Sequence, residues 1–250
     1  LREPLPVQYG RFLLRLLQAD LGRSIWGNHP VTELILERFP PTFQLAVAAM
    51  GCAILIGMTL GVMAAIHRGQ PLDNLTMLVA LLGVSMPSFW LGFLLIYVFA
   101  IWLGALPVTS VPGPVGLVLP AATLGFGAAA IIARMVRSSL VEVLQEDYVR
   151  TARAKGLGPW SVITHHALRN ALIPTVTIVG LQFGGLLAGT VIVESVFARR
   201  GLGLLLLQGI QSRDFPVVQG GVLFIATVYV LVNLAVDLLY GYLDPRIRYD

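Results

Sequence analysis

Residues 42–66 read TFQLAVAAMGCAILIGMTLGVMAAI, closed by His67-Arg68-Gly69 and, two residues on, by Pro71. A helix needs about 20 predominantly apolar residues to cross the hydrocarbon core of a bilayer. A proline just past a helix end is a common stop signal. This stretch predicts a membrane-spanning helix, and four more follow it. The second covers roughly Asn74 to Leu103 and is expected to tilt or kink at Pro87 in Ser85-Met86-Pro87-Ser88. The third starts near Leu117, is apolar until Arg134, and is expected to continue as helix beyond the membrane surface, because nothing from Arg134 to Asp147 breaks it. The fourth is Leu172 to Phe197 and the fifth Gly220 to Tyr242. Gly201 to Ile210 is apolar but too short to span, and reads as an interfacial or re-entrant piece.

Composition agrees. Hydrophobic residues make up 56% of the 250-residue chain and charged residues only 12%, about half the share usual in a soluble domain. So few charges could not cover the surface of a soluble fold. The fold class is therefore an all-α polytopic membrane helix bundle with five spans. The net charge of +4 is modest and the basic residues are spread along the chain, which excludes a nucleic-acid patch. The single cysteine, Cys52, rules out an internal disulfide.

Residues 1–41 carry five arginines against four acids, and their latter half reads as an amphipathic helix ending at Phe39-Pro40-Pro41, outside the bilayer core. The chain opens on Leu1 rather than Met, which suggests a missing N-terminal portion. Basic residues within about 20 of a span end number nine on the side of the C-terminus and five on the other, placing the C-terminus in the cytoplasm. Glycines four apart (Gly57 and Gly61, Gly180 and Gly184, Gly185 and Gly189) let helix backbones approach closely in lipid. They are read as packing within one bundle, with a dimer seam as the alternative.

The most informative stretch joins the third and fourth spans. It contains Glu146-Asp147-Tyr148-Val149-Arg150-Thr151-Ala152-Arg153-Ala154-Lys155-Gly156-Leu157-Gly158-Pro159-Trp160, then His165-His166-Ala167-Leu168-Arg169-Asn170-Ala171-Leu172-Ile173-Pro174. The pattern predicts two short helices around a break. Asp147 is the expected N-cap of the first. Gly156 is suited to the left-handed conformation that ends it, and Pro159 opens the second at the tolerated first position. Trp160, Ile163 and Ala167 should share one face of that second helix. Such a basic, partly apolar hairpin suits either anionic lipid headgroups or a soluble partner.

This loop resembles the coupling loop of binding-protein-dependent ABC importers, whose permeases carry E-A-A-x-x-x-G followed nine residues later by I-x-L-P. Gly156 matches the glycine, Ala152 an alanine and Leu168 the leucine. Arg150 and Thr151 stand where Glu and Ala are usual, and His166 and Arg169 replace the isoleucine and proline. The loop is more closely similar to one branch, the dipeptide/oligopeptide/nickel permeases. That likeness extends to Asp20-Leu21-Gly22-Arg23-Ser24, Pro87-Ser88-Phe89-Trp90-Leu91-Gly92, Arg213-Asp214-Phe215-Pro216-Val217-Val218-Gln219-Gly220, Val236-Asp237-Leu238-Leu239-Tyr240 and Asp244-Pro245-Arg246. The branch has six spans, its N-terminal one preceding Leu1. It more often has proline before the glycine at Arg199-Arg200-Gly201-Leu202-Gly203.

The resemblance implies a plasma-membrane (bacterial inner-membrane) permease subunit of an ATP-driven importer of di- or oligopeptides, with glutathione-like compounds, nickel chelates and some oligosaccharides as alternative substrates. This chain would form half of the channel beside a sister permease, above two ATP-binding cassette ATPases and beneath an extracytoplasmic solute-binding protein. It implies an extracytoplasmic segment 1–41 and a permease domain 42–250 with a cytoplasmic coupling loop 137–172. The loop residues implied to contact the ATPase are Asp147, Tyr148, Arg150, Thr151, Ala152, Arg153, Lys155, Gly156, Leu157, Leu168 and Arg169. ATP and magnesium would bind the partner, not this chain. The residues agree, because a phosphate-cradling loop needs G-x-x-x-x-G-K-S/T and the only lysine, Lys155, is followed by Gly156. No enzyme activity and no resident cofactor are expected.

The candidate translocation path comprises Ser85, Pro87, Phe89, Gln182, Glu194 and Asp237. Asp237 shares a helix face with Asn233, Tyr240 and Asp244 and is read as packing on a neighbouring helix, with a proton relay as the alternative. Glu194 is read as snorkelling to the interface, with an outer gate as the alternative. His165 and His166 are about 100° apart on a helix, a poor chelate, so no metal site is expected. An ion-gradient-driven transporter using Asp237 and Glu194 is the rival function. It should show inverted repeats, and the sequence has no such symmetry. A non-transporting scaffold would leave the hairpin without a role.

Overall fold

The structure is a computed structural model that describes residues 4–109, 111 and 113–243, apart from the side chains of 237 and 239–243. The side chains of Asp237 and Tyr240, and all of Asp244, Pro245, Arg246 and Arg248, therefore lie outside the described residues, as does Arg2.

Helices dominate. They are α1 (Leu5–Leu17), α2 (Val31–Ile66), α3 (Pro71–Ser85), α4 (Ser88–Leu95), α5 (Val115–Val143), α6 (Asp147–Ala154), α7 (Pro159–Ser161), α8 (Leu168–Ala171), α9 (Ile173–Val196), α10 (Leu202–Gln211) and α11 (Phe215–Leu243). Two π-helical stretches, Ile96–Trp102 and Val162–Ala167, extend α4 and join α7 to α8. Among the described residues the extended pairing is a single bridge, Arg23 with Pro30. By length and composition α2, α5, α9 and α11 can each cross a membrane, and α3 with α4 and its extension form a bent apolar pair, either a fifth, broken span or a re-entrant loop.

Two elements depart from the expected pattern. The helix expected to end at Phe39-Pro40-Pro41 does not end. It runs through both prolines as the 36-residue α2. Each internal proline forfeits a backbone bond and strains the preceding turn, by roughly 3 kcal/mol. Tertiary contacts offset this. Val31 and Ile35 are buried against Leu202 and Val217, the Phe39 ring sits edge-on to Phe224 at 5.1 Å, and the Arg199 guanidinium donates to the Pro41 carbonyl at 3.1 and 3.2 Å. The second span, by contrast, is not merely tilted or kinked. The chain bends by 113° between its halves. Pro87 disfavours helical backbone at the residue before it, and both Met86 (φ −84°, ψ 126°) and Pro87 (φ −60°, ψ 134°) are extended. Two consecutive extended residues break a helix rather than bend it.

The centre of the bundle is α2 on α5, with α9 alongside. Leu45, Ala49 and Ala53 of α2 meet Leu124, Ala128 and Ile132 of α5 and Val193 of α9. Lipid is as apolar as these side chains, so close fit rather than burial holds such helices together. Gly57 and Gly61 supply it. A Cβ at Gly57 would lie 2.7 Å from the Ala129 carbonyl, and one at Gly61 would lie 2.6 Å from that of Ala133. Gly180 and Gly184 likewise receive Val236 and Tyr229 of α11. These pairs serve packing inside one bundle.

The third span behaves as expected, continuing as α5 to Val143 before a three-residue turn. The piece from Gly201 forms the short helix α10.

Candidate functional site: a surface hairpin and a cavity at a broken helix

The loop between α5 and α9 folds into a hairpin of α6 against α7, the π stretch and α8. Its floor is small and apolar. Val149, Ala152, Val162, Ala167 and Ala171 are buried against Leu140 of α5 and Ala65 at the end of α2. Ala152, named among the contact residues, thus faces inward as an anchor. At the N-terminus the cap is not Asp147 but Glu146, whose backbone is extended and whose side chain makes no capping bond. Asp147 is the first helical residue, where its charge still opposes the helix dipole favourably. Its carboxylate pairs with Arg150 at 3.2 Å on the open surface, a contact of little energetic weight.

At the C-terminus Gly156 has φ +80°. Its N–H bonds Arg153 O at 3.0 Å and the Leu157 N–H bonds Ala152 O at 3.4 Å, the paired bonds of a Schellman cap. Gly158 and Pro159 open the return helix as the sequence indicates. Trp160 does not share the buried face of Ile163 and Ala167, and is 68% exposed. The π turn spanning Val162–Ala167 widens the register, so Val162 rather than Trp160 joins that face. A side-chain bond missed in the sequence closes the hairpin: the Asn170 amide donates to the Tyr148 hydroxyl at 2.8 Å.

What remains outside is a ridge. Arg150, Arg153, Lys155 and Arg169 are exposed, as are Tyr148, Thr151, Leu157 and Trp160, and Leu168 is half-buried. One turn above the floor, Arg137 of α5 forks onto Asp73, donating to Oδ2 at 2.7 Å, while the Gly69 N–H reaches the same oxygen at 2.9 Å. Asp73 is 2% exposed. This pair fastens the start of α3 to α5 just before the hairpin. The partners are 64 residues apart, and nothing local in the sequence joins them.

A cavity of about 370 Å³ lies where α3 breaks into α4, walled by α5 and α9. Gly83, Met86, Ser88, Thr123, Gly127, Gln182 and Gly185 contribute to its lining. Of the path candidates Gln182 is here, while Ser85, Pro87 and Phe89 line an adjoining, more apolar hollow that shares Met86. The alternation follows from the extended backbone at the break, where successive side chains point to opposite sides.

Glu194 is in neither place. It is fully buried at the opposite end of α9 from the hairpin, which corrects the reading that it snorkels to the interface. Its carboxylate accepts from the Thr42 hydroxyl at 2.6 Å and from the Leu204 N–H at 3.0 Å, while Thr42 Oγ1 accepts from the Leu202 N–H at 2.8 Å. Thr42 and Glu194 together cap the N-terminus of α10, whose first N–H groups have no helical partner. The C-terminus of α10 is tied by Asp214, which accepts from the Ser24 hydroxyl and, at 3.2 Å, from the Ile25 N–H. The Trp26 indole donates to Ser212 O at 2.7 Å. Two segments quoted for the family resemblance, around Ser24 and Asp214, thus meet in space.

Residues 57–249 match the family described as the binding-protein-dependent transport system inner membrane component. The glutathione transport system permease protein GsiC of Pectobacterium atrosepticum is 47% identical over 249 residues, covering all of this chain and 81% of the relative. The chain belongs to this family. It is a permease subunit of an ATP-driven, binding-protein-dependent importer, a multi-pass inner-membrane protein working with partner ATPases and a solute-binding protein, and not itself an enzyme. GsiC of Escherichia coli K12 is 45% identical over the same coverage. In fold, the permease is similar to a solved inward-facing structure of the MetNI methionine ABC transporter (TM-score 0.71, 20% identity, 84% of this chain and 96% of that one). It is also similar to an amino acid ABC transporter crystallised with histidines (TM-score 0.63, 18% identity, 86% and 95%).

Proposed function

We propose that this permease imports short peptides of the glutathione kind, paired with a sister permease, and takes its drive through the hairpin ridge from Asp147 to Leu157 together with Leu168 and Arg169. The observation that carries the docking role is the contrast within the hairpin. Its inner face is locked by a floor of small apolar residues and the Asn170–Tyr148 bond, while its outer face offers charged and apolar side chains with no elements over them among the described residues. A rigid lever with a sticky outer edge transmits a push, and switching requires such an element. ATP and magnesium bind the ATPase. The hairpin and the C-terminus face the cytoplasm, so α10 and the Ser24–Asp214 contact face outside. The peptide class is supported by the similarity to glutathione transport permeases, glutathione being itself a small peptide.

The test is an affinity pull-down of the full-length permease from mild-detergent membranes, with mass spectrometry of what accompanies it. A P-loop ATPase and a second permease are expected with wild type, and the ATPase is expected to be lost with Gly156→Asp at equal expression. No ATPase with either protein would sink the docking role.

A further inference from the structure

The cavity at the broken helix has a composition that its shape does not require. The lining residues include no charged side chain, yet polar groups gather there. Neither the Gln182 amide nor the Ser88 hydroxyl has a hydrogen-bond partner among the described residues. Backbone adds to them. Pro87 has no N–H to offer the Gly83 carbonyl, and the N–H groups of Ser88, Phe89 and Trp90 open α4 without partners among the described residues. The Gly83 carbonyl faces α5: a Cβ at Gly127 would stand 3.5 Å from it.

Depth makes this informative. Gln182 is the tenth of 24 residues in α9, and Thr123 to Ile131 lie midway along the apolar part of α5. At that depth lipid cannot satisfy a free amide or carbonyl, and broken backbone is tolerated only where it lines a cavity. Polar groups held there at a cost point to solute. The volume sits at the lower end of the roughly 300–1,000 Å³ of ligand pockets, suited to a small peptide and not to a folded chain.

We propose that this cavity reads the main chain of the transported peptide, with Gln182 and Ser88 hydrogen-bonding one of its amide groups in mid-membrane. A primary amide offers a donor and an acceptor side by side, which is the complement of a peptide unit. The absence of charged lining leaves solute side chains and termini unread, so the site bonds any short peptide weakly and lets it leave. The proposal rests on the short-peptide reading above.

The test uses membrane vesicles holding the complete transporter with its binding protein, and trialanine as probe. Gln182→Leu is expected to lower trialanine uptake about tenfold, the worth of one net hydrogen bond. Gln182→Asn should recover most of the loss, and ATPase co-purification should not change. In a Cys52→Ser background, Gln182→Cys is expected to react with a water-soluble methanethiosulfonate and to be protected by trialanine, whereas Leu234→Cys on α11 should stay unlabelled. Unchanged uptake by Gln182→Leu, or labelling of Gln182→Cys that trialanine does not slow, would overturn the site. If wild type takes up no trialanine while the ATPase still co-purifies, the peptide-reading role falls and the docking role stands. Loss of the ATPase from wild type would instead strike the docking role.

Discussion

The two ends of α9 are built from opposite materials. At Ile173 it emerges from a hairpin held by alanines and valines, whose polar groups mostly face outward. At Val196 it enters a corner where a buried carboxylate and a buried hydroxyl hold the start of α10. Both ends close with a Schellman cap, yet with different residues in the left-handed position. α6 uses Gly156 (φ +80°), whereas α9 uses Ala198 (φ +50°) and α10 uses Arg213 (φ +58°). An element that must take up and give back force benefits from an open surface and an unstrained turn. An element that must hold its shape can bear a strained turn if buried polar bonds fix it. On the docking role proposed above, the corner is the static end of the span and the hairpin the working end.

Removing the carboxylate should break this contrast most severely. Glu194→Leu leaves the N–H of Leu204 without its carboxylate acceptor and the Thr42 hydroxyl with only its longer bond to the Arg38 carbonyl at 3.3 Å. A loss of about 3 kcal/mol or more is expected, read as a much lower melting temperature of the detergent-purified permease. The surviving folded fraction should still bind its ATPase. If Glu194→Leu is as stable as wild type, the corner is not what holds α10.

Gly203→Ala probes the same corner sterically. The added Cβ would lie 2.5 Å from the Val191 Cα, a backbone atom that cannot swing aside. Overpacking of this kind costs about 1–3 kcal/mol, so a smaller fall in melting temperature is expected. Gly156, at the other end, has no atom of a neighbouring element within 4 Å of where a Cβ would go, so the cost of a side chain there is confined to its own left-handed backbone.

How much of this was legible in the sequence depends on whether the signal was local. The spans declare themselves because twenty apolar residues in a row have few other uses, and the turn at Gly156-Leu157-Gly158-Pro159 because glycine and proline fix backbone directly. Pro87 declared a disturbance but not its size, since a kink and a 113° break begin with the same missing N–H. Pro40-Pro41 misled, because the price of two prolines is local while the contacts that offset it come from Arg199 and Phe224, more than 150 residues away. Glu194 misled for the same reason. An acid near the end of an apolar helix normally reaches for water, and only the fold brings Thr42 and the start of α10 to it. The Gln182 cavity was half legible: the residue stood out, but the break that supplies the other polar groups had to be seen. The Asn170–Tyr148 bond lay within quoted family residues, although only the π register shows that they meet.

The smallest effects sharpen the comparison furthest, because they exchange the materials of the two ends. Gly156→Ala forces a Cβ into a left-handed turn with nothing to hold it, a cost of about 1 kcal/mol. In an otherwise open hairpin that energy is relieved by re-aiming α6, so co-purified ATPase and solute-stimulated hydrolysis should fall while the melting temperature barely moves. Ala198→Gly removes the same strain from the corner, but glycine also gains freedom in the unfolded chain, and the net gain should be about half a kcal/mol or less. With Glu194 O still bonding the Arg199 N–H at 2.8 Å, the turn keeps its shape, and transport should be unchanged. If Ala198→Gly instead impairs transport at full stability, the corner flexes during the cycle, and the division into a working end and a static end has to be abandoned.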